Sequence, residues 1–325
     1  MAYRYTYAAR LNSFRNGDWG GKKPTVIDLV ERASKVPGLK AVDLNFPDHV
    51  QGTSVADIKA CLARTGIGLN GLAMRYYTEP GFKLGAFTHP DKAVRRAAID
   101  LTKRGIDSLL ELGGNLMTLW MGNDGYDYSF QADYDAQWSH TIAAMAEIAD
   151  HDPAVDISIE YKPNEPRSFA LMPDMATTLL AIKDINRKNM GVTLDFAHVL
   201  YAGEMPAHAA VMASAHSRLL GIHLNDGYGK RDDGLMAAAV HPVQTLELLF
   251  ALKKLGYGGV IYFDTFPDIT NLDPVAECAA NIAVVERLAR IADSLAGNDE
   301  LAKAITRQDA VAAQAIVSAA LFGAA

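Results

Sequence analysis

Apolar and polar positions alternate in blocks along the whole chain. Short apolar runs are separated by longer stretches whose apolar residues recur at helical spacing, such as 91–112 and 243–255. The runs that predict β-strands lie at about 3–9, 39–46, 68–75, 115–121, 156–162, 191–196, 219–225 and 259–265. Strands that alternate with helices are typical of a parallel sheet. Eight such units predict an α/β protein that closes as a (β/α)8 TIM barrel.

The same pattern predicts the domain organisation. Residues 1–296 contain all eight predicted strands and form the barrel. Residues 297–325 are a short C-terminal extension with an Ala-rich, helical composition over 301–320 and no ninth strand. We expect this helical tail to pack on the barrel or on a neighbouring subunit and not to form a separate domain.

Polar side chains stand at the ends of the last four predicted strands. Because side chains alternate along a strand, Glu160 and Lys162 point to the same face. The same alternation places Asp195, His223 and Asp264 on the inner faces of the next three strands. The active site of a TIM barrel lies at the C-terminal ends of its strands. We therefore expect these side chains to meet near the barrel axis.

Three carboxylates at one point would repel each other strongly. Burying unpaired charges costs several kcal/mol each, so such a site needs a cation, protons or the nearby Lys162. Oxygen ligands with one imidazole suit Mn²⁺, Mg²⁺ or Co²⁺ better than metals that prefer thiolates. The alternative is a barrel core with structural ion pairs, such as Glu160 with Lys162. Potential metal ligands recur at four successive strand ends, and this recurrence favours the metal site over the structural ion pairs.

Composition excludes several other classes of function. The 325 residues are 50% hydrophobic and carry a net charge of −7 without a basic run, so we expect no nucleic-acid partner. No apolar run approaches the roughly 18 residues of a membrane span, so we expect no membrane partner. Cys61 and Cys278 lie in no metal or redox spacing, which indicates reduced thiols and a cytoplasmic protein.

Three motifs resemble those of xylose isomerases. Glu160-Tyr-Lys-Pro-Asn-Glu-Pro-Arg167 is similar to the family's Glu-Pro-Lys-Pro-Asn-Glu-Pro-Arg and differs only at Tyr161. Phe82-Lys-Leu-Gly-Ala-Phe-Thr88 and Leu119-Trp-Met-Gly-Asn-Asp-Gly125 also resemble family motifs. The resemblance extends from near the N-terminus to about Pro267, and the tail is shorter than the family's helical arm.

The resemblance implies metal ligands. Glu160 and Asp264 would bind a first metal, and Asp195 would bridge two metals where the family has Glu. His223 would replace a first-site carboxylate, as in rhamnose isomerases. His198 matches the histidine of the second site.

The second site departs from the family's pattern. The family's Asp-x-Asp appears here as adjacent Asp232 and Asp233. One of them, with His198 and Asp195, would hold a mobile metal, or both would belong to a solvated acidic loop. The resemblance thus implies one firm metal site and a possible second.

The resemblance also implies roles in substrate binding and catalysis. Lys162 matches the lysine that holds the sugar carbonyl oxygen, and with Glu160 and His198 it completes the set of catalytic candidates. Trp120 matches a wall over the substrate, and Tyr77 takes the place of its aromatic partner.

Asn45 stands where the family has its ring-opening histidine and is a third substrate-binding candidate. Ring opening would then use Asp48, His49, water at the metal or the open-chain fraction of the sugar. His49 beside Asp48 would otherwise be a surface turn pair.

The leading prediction is a divalent-metal-dependent aldose–ketose isomerase that shifts hydride between C1 and C2 of an open-chain sugar. A ketose 3-epimerase on the same barrel ranks second, because that reaction prefers Glu where this chain has the shorter Asp264. A metal-dependent sugar lyase or a partner-dependent C-glycoside-cleaving subunit is third, and a non-catalytic sugar-binding protein is fourth. The resemblance implies a small sugar substrate and a homo-oligomer, tetramer or dimer, in which Trp19 enters the next subunit's site or caps its own barrel.

Overall fold

Eight parallel strands close into a barrel in the computed structural model, which describes residues 4–323. The strands are β1 Thr6–Arg10, β2 Leu39–Phe46, β3 Gly68–Met74, β4 Leu116–Leu119, β6 Asp156–Glu160, β8 Met190–Asp195, β9 Leu219–His223 and β10 Val260–Phe263. Their order around the barrel is β1-β10-β9-β8-β6-β4-β3-β2. Two further strands, β5 Gly125–Tyr126 and β7 Phe169–Ala170, form a short antiparallel pair. The predicted (β/α)8 TIM barrel is confirmed.

Helices connect the strands and continue beyond the last one. They are α1 Val26–Ala33, α2 Val55–Thr65, α3 Lys92–Leu112, α4 Tyr134–Ala149, α5 Met175–Ile185, α6 Phe196–Tyr201, α7 Pro206–His216, α8 Pro242–Leu255, α9 Pro267–Thr270, α10 Pro274–Ala296, α11 Asp299–Thr306 and α12 Ala310–Phe322. Aspartates cap several N-termini, as Asp91 and Asp133 accept hydrogen bonds from the first turns of α3 and α4. Gly113 and Gly256 end α3 and α8 in the left-handed conformation. No helix within residues 4–323 has both the length and the apolarity that crossing a membrane requires.

The strands alternate between the helix layer and the barrel interior. Leu44, Val192 and Phe263 belong to the main hydrophobic core. Residues of the other parity face inward, as shown by the 2.6 Å hydrogen bond between the hydroxyls of Ser158 and Thr193. This period of two continues to the strand ends. It therefore directs the polar residues that follow toward the barrel axis.

The boundaries differ from the predicted ones in two ways. Strand β1 starts at Thr6, and Tyr3 of its predicted span lies outside the described residues. Several predicted strands end earlier than expected, because the backbone leaves the hydrogen-bond ladder before the polar residues: β6 ends at Glu160 and β10 at Phe263.

The C-terminal extension is helical and contains two helices, α11 and α12. Asp309 caps the start of α12 by accepting a hydrogen bond from the Ala312 N–H. Residues 324–325 lie outside the described part of the chain.

Candidate metal centre

Four side chains from neighbouring barrel strands converge at the C-terminal end of the barrel. Glu160, Asp195 and His223 are the last residues of β6, β8 and β9, and Asp264 follows β10 directly. Each offers one ligand atom, and these four atoms lie within 4.8 Å of one another. The structure thus brings together the four residues that the strand-end pattern selected.

The donor atoms of this cluster fit a divalent cation. Glu160, Asp195 and His223 are buried. His223 Nδ1 lies 3.3 Å from Glu160 Oε1, but the two atoms do not have hydrogen-bond geometry. Neither His223 Nδ1 nor the buried Asp264 Oδ1 has a hydrogen-bond partner among the described residues. Three carboxylates and one imidazole are the ligands that Mn²⁺, Mg²⁺ or Co²⁺ accept. These four residues can hold such an ion.

The electrostatics of the cluster point the same way. Burial, reinforced by neighbouring carboxylates, raises the pKa of Asp195 to about 7, although His198 acts in the opposite direction. Burial would lower the pKa of His223, but Glu160 and other nearby carboxylates raise it to about 9. The cluster therefore has an excess of negative charge that protons or a cation must neutralise.

A second group of potential ligands lies beside the first. His198, in the short helix α6, has its Nδ1 3.0 Å from the Tyr161 carbonyl oxygen. Its Nε2 lies 3.2 Å from Asp232 Oδ2, where it donates a hydrogen bond when it is protonated and offers a lone pair to a cation when it is not. Asp195 Oδ1 lies 4.0 Å from the same imidazole. Asp195, His198 and Asp232 thus lie near one another, but the four-residue cluster is the only group of at least three potential ligands among the described residues whose donor atoms all lie within 4.8 Å.

The two adjacent aspartates of the loop after β9 face different ways. The Asp232 side chain is 11% exposed, and its Oδ1 is buried without a partner among the described residues. Asp233 instead accepts hydrogen bonds from the Tyr228 N–H and from Arg231 Nε, both at 2.8 Å. Asp233 therefore stabilises the loop, whereas Asp232 contacts Lys162 and His198 in the cleft.

This division predicts different effects for two matched substitutions. Asp232→Asn should weaken a second bound Mn²⁺ by about tenfold or more, because it removes one negative ligand next to His198. Asp233→Asn should change metal affinity by less than about twofold, since it weakens only the ion pair with Arg231, whose side chain is 71% exposed. Titration calorimetry with Mn²⁺ checks this, and equal losses in the two variants would contradict the assignment.

Lys162 lies two residues beyond Glu160 at the wall of the same cleft. Its Nζ is 2.8 Å from Glu165 Oε2, 3.1 Å from Asp232 Oδ2 and 5.3 Å from the centre of the Trp120 ring. Burial would lower the pKa of Lys162, but Asp232 and Glu165 outweigh that effect and raise it. The ammonium therefore stays protonated. Two of its three N–H donors are anchored, and one remains for a ligand.

Aromatic side chains form the wall opposite the carboxylates. Trp120 and Tyr77 contact edge to face with ring centres 5.0 Å apart, and Arg75 stacks over Tyr77 at 5.5 Å. The cleft between this wall and the cluster has a volume of about 260 Å³. It is lined by Arg10, Ala73, Met74, Arg75, Tyr77, Trp120, Glu160, Lys162, His198, His223, Asp232, Tyr262, Asp264 and Phe266.

Two residues that contact the metal cluster were not among the predicted site residues. Arg10, at the end of β1, places Nε 3.6 Å from Asp264 Oδ1. Asn225 donates a hydrogen bond of 3.1 Å to Asp195 Oδ2. The inward position of Asn225, two residues after His223, was a signal in the sequence. The sequence signal for Arg10 was weaker, because the predicted first strand ended one residue before Arg10.

Asn45, the third substrate-binding candidate, and His49, one of the candidates for ring opening, are hydrogen-bonded to each other. Asn45 is buried, its Nδ2 has no partner among the described residues, and it does not line the cleft. His49 is also buried, which excludes the alternative that it belongs to a surface turn pair. Its Nδ1 accepts from the Asn45 N–H at 2.9 Å, and its Nε2 lies 2.7 Å from Asn12 Oδ1. Burial, with nearby arginines, lowers the pKa of His49 to about 3, which favours the neutral imidazole.

Comparison with known proteins adds a family and a fold. A family model described as xylose isomerase-like TIM barrel matches residues 30–292. A D-tagatose 3-epimerase-like protein superposes with a TM-score of 0.70 at 16% identity, covering 89% of this chain and 98% of the other. D-allulose 3-epimerase from Methylomonas sp., in complex with D-allulose, superposes with a TM-score of 0.68 at 18% identity, covering 88% of this chain and 98% of the other. A xylose isomerase domain protein from Alicyclobacillus acidocaldarius subsp. acidocaldarius superposes with a TM-score of 0.68 at 16% identity, covering 89% of this chain and 99% of the other. At these identities the similarity establishes the barrel fold alone.

Proposed function

Since the chain belongs to the xylose isomerase-like TIM barrel family, we propose that it is a divalent-metal-dependent sugar isomerase that interconverts an aldose and a ketose. The observation that carries this proposal is the position of Lys162. Its protonated Nζ stands against the Trp120 ring, on the same strand end as Glu160 of the candidate metal cluster. A fixed positive donor beside a cation site suits a reaction in which negative charge develops on a sugar oxygen.

The metal sites follow from the grouped ligands. Glu160, Asp195, His223 and Asp264 would hold the first ion. His198, Asp195 and Asp232 would hold a second. When bound, such ions act as Lewis acids that polarise two neighbouring oxygens of the sugar.

The residues of this chain then orient the substrate. Lys162 donates its free N–H to the carbonyl oxygen of the open-chain sugar, and Asp232 and Glu165 keep the ammonium in position. Because this donor is already oriented, it stabilises developing charge without reorganisation. Trp120 and Tyr77 cover the sugar and exclude water from its reacting carbons. Hydride then passes from C2 to C1 while a proton passes from O2 to O1, so the reaction needs no external reductant.

A 3-epimerase is the second candidate, because Glu160 and Asp264 place carboxylates on two strands that are not neighbours, β6 and β10. Two such groups could remove and return a proton on opposite faces of a ketose. The names of two of the similar solved structures agree with this candidate. It ranks second because Asp264 is short and is paired with Arg10 at 3.6 Å, which limits its reach as a base.

A deuterium experiment distinguishes these functions. Aldoses and ketoses are incubated in D₂O with the enzyme and Mn²⁺, Co²⁺ or Mg²⁺, and the products are identified by NMR. A hydride shift predicts aldose–ketose conversion with the hydrogen retained and little deuterium at C1 or C2. Epimerisation by proton abstraction would instead give two ketoses with deuterium at C3.

Two other outcomes would reject both isomerase candidates. An unsaturated sugar or a released aglycone would indicate a lyase or a C-glycoside-cleaving subunit. No turnover of any sugar, with the Glu160→Gln variant indistinguishable from the parent, would indicate a sugar-binding protein.

The proposal extends to the setting of the enzyme. We propose that the substrate is a small sugar and that the enzyme is cytoplasmic. We also propose that it forms a homo-oligomer, either a dimer or a tetramer, and that each chain is one barrel domain with a helical tail.

Trp19 packs on its own chain, where its Nε1 donates to the Arg15 carbonyl oxygen at 2.7 Å and Arg32 stacks over its ring at 5.3 Å. These contacts favour the role of Trp19 as a cap on its own barrel.

A further inference from the structure

A second polar pocket lies outside the metal centre, between the start of α3 and the first turns of α4. Its volume is about 210 Å³, and its polar lining includes His89, Gln137, His140 and Arg167. None of its lining residues lines the cleft of the metal centre. This rim pocket is therefore a separate site, and it is independent of the proposed sugar isomerase activity.

Two buried polar atoms in the rim pocket have no partner among the described residues. Gln137 is 7% exposed and donates through Nε2 to the Gly125 carbonyl oxygen at 3.2 Å, which leaves Oε1 unpaired. Arg167 donates to the same carbonyl oxygen at 3.1 Å, and its Nε is also buried and unpaired. The shared carbonyl holds this acceptor and this donor close together. Such atoms are costly to bury unless a ligand or an ordered water bridges them.

The charges around the pocket favour a neutral ligand. The Arg167 guanidinium is compensated by Asp127, whose Oδ2 lies 2.7 Å from its Nη1. Asp133 is engaged as the N-cap of α4, where it accepts from the Ala136 N–H at 3.0 Å. His89 accepts from the Asp91 N–H at 3.0 Å through Nδ1, which leaves Nε2 as a further hydrogen-bonding group. Neither an anion nor a cation would find uncompensated opposite charge here.

Three mutually contacting aromatic residues are close in sequence to residues of this pocket or to Gly125, and two of them are exposed. Tyr126, next to Gly125, stacks on Phe169 with ring centres 5.2 Å apart and an interplanar angle of 19°. Tyr134, the neighbour of Asp133, lies 4.8 Å from the Tyr126 ring. Phe169 is 54% exposed and Tyr134 is 52% exposed. Exposed aromatic groups next to convergent polar atoms are typical of a binding surface.

A pyranose ring matches both features, because it has an apolar C–H face and an edge of neutral hydroxyl groups. We propose that the rim pocket binds a neutral pyranosyl unit. Its C–H face would lie on the ring of Phe169, and a hydroxyl group would donate to Gln137 Oε1 and accept from Arg167 Nε. A closed glycoside can occupy this site, whereas the isomerase reaction requires an open chain.

Saturation-transfer NMR with methyl β-D-glucopyranoside, methyl β-D-galactopyranoside and methyl β-D-xylopyranoside tests the proposal. These probes have locked rings and cannot undergo the isomerase reaction. The experiment compares the parent protein with Phe169→Ala and Gln137→Leu. Two variants are the controls. Phe322→Ala truncates an aromatic side chain on α12 that is 78% exposed, and Glu160→Gln changes the metal centre.

At least one glycoside should bind the parent protein, and Phe169→Ala and Gln137→Leu should each weaken it by roughly five- to tenfold, as expected when one stacking or hydrogen-bonding partner is lost. The two controls should bind it like the parent. The proposal is overturned if no glycoside binds, if Phe169→Ala and Gln137→Leu both bind normally, or if Glu160→Gln alone abolishes binding. Unchanged melting temperatures show that the variants are folded, and isomerase turnover of a free sugar is measured separately.

Discussion

Replacing Lys162 by Met is expected to lower isomerase turnover by about a hundredfold or more, which is the usual effect of removing one oriented donor to a developing oxyanion. The side chains have similar length, so the wall next to Trp120 keeps its shape. Metal affinity should stay the same or increase slightly, since the substitution removes a positive charge near the cation site. Steady-state kinetics and a Mn²⁺ titration on the same sample check both parts.

Lys183→Met on the exposed side of α5 is the matched control and should leave turnover unchanged. Near-normal turnover in Lys162→Met would remove the lysine from the mechanism. A simultaneous loss of metal binding would show that Lys162 acts on the structure of the site, through Asp232 and Glu165, and not on the sugar oxygen.

Asp195→Asn should have the largest effect on metal binding. Asp195 is buried, stands within the four-residue cluster and also faces His198, so its charge is shared by both proposed sites. The new amide would also place a donor against Asn225 Nδ2, which donates to Asp195 in the parent protein. We expect Mn²⁺ affinity at the first site to fall by about a hundredfold and binding at the second site to be lost.

Titration calorimetry and metal analysis after dialysis measure this effect, with Asp233→Asn as the control for the loss of one negative charge. Intact stoichiometry for both ions in Asp195→Asn would refute the bridging role. Loss of a single ion would assign Asp195 to one site only.

The barrel and the four clustered ligands could be predicted because both depend on local periodicity. Side chains alternate along each strand, and parallel strands end at the same face of a barrel. The positions of Glu160, Asp195 and His223 therefore follow from their places in three apolar runs. Asp264 follows in the same way, although it lies just after its strand.

Contacts between distant loops could not be predicted in this way. The choice between Asp232 and Asp233 depends on how the loop after β9 folds, which strand periodicity does not determine. The hydrogen-bond partner of the His49 Nε2 is Asn12, 37 positions away in the sequence. The rim pocket likewise combines Gln137 of α4 with Arg167 of a later loop, and only the folded chain shows that both bind the Gly125 carbonyl oxygen.

The break in the C-terminal extension has a more local cause. An Ala-rich composition favours helix throughout 301–320, but Asp309 prefers to cap a new helix rather than continue the old one. The predicted helical composition is thus present as two helices, and the prediction did not place the break between them. Asp309 was a helix-capping signal in the sequence, but the prediction rested on the Ala-rich composition and did not use it.

Anomalous diffraction from a crystal grown with Mn²⁺ tests the central claim most directly. We predict a strong peak bonded to Glu160, Asp195, His223 and Asp264. A peak elsewhere, or well-ordered side chains of these four residues that neutralise each other without a bound ion, would contradict the account.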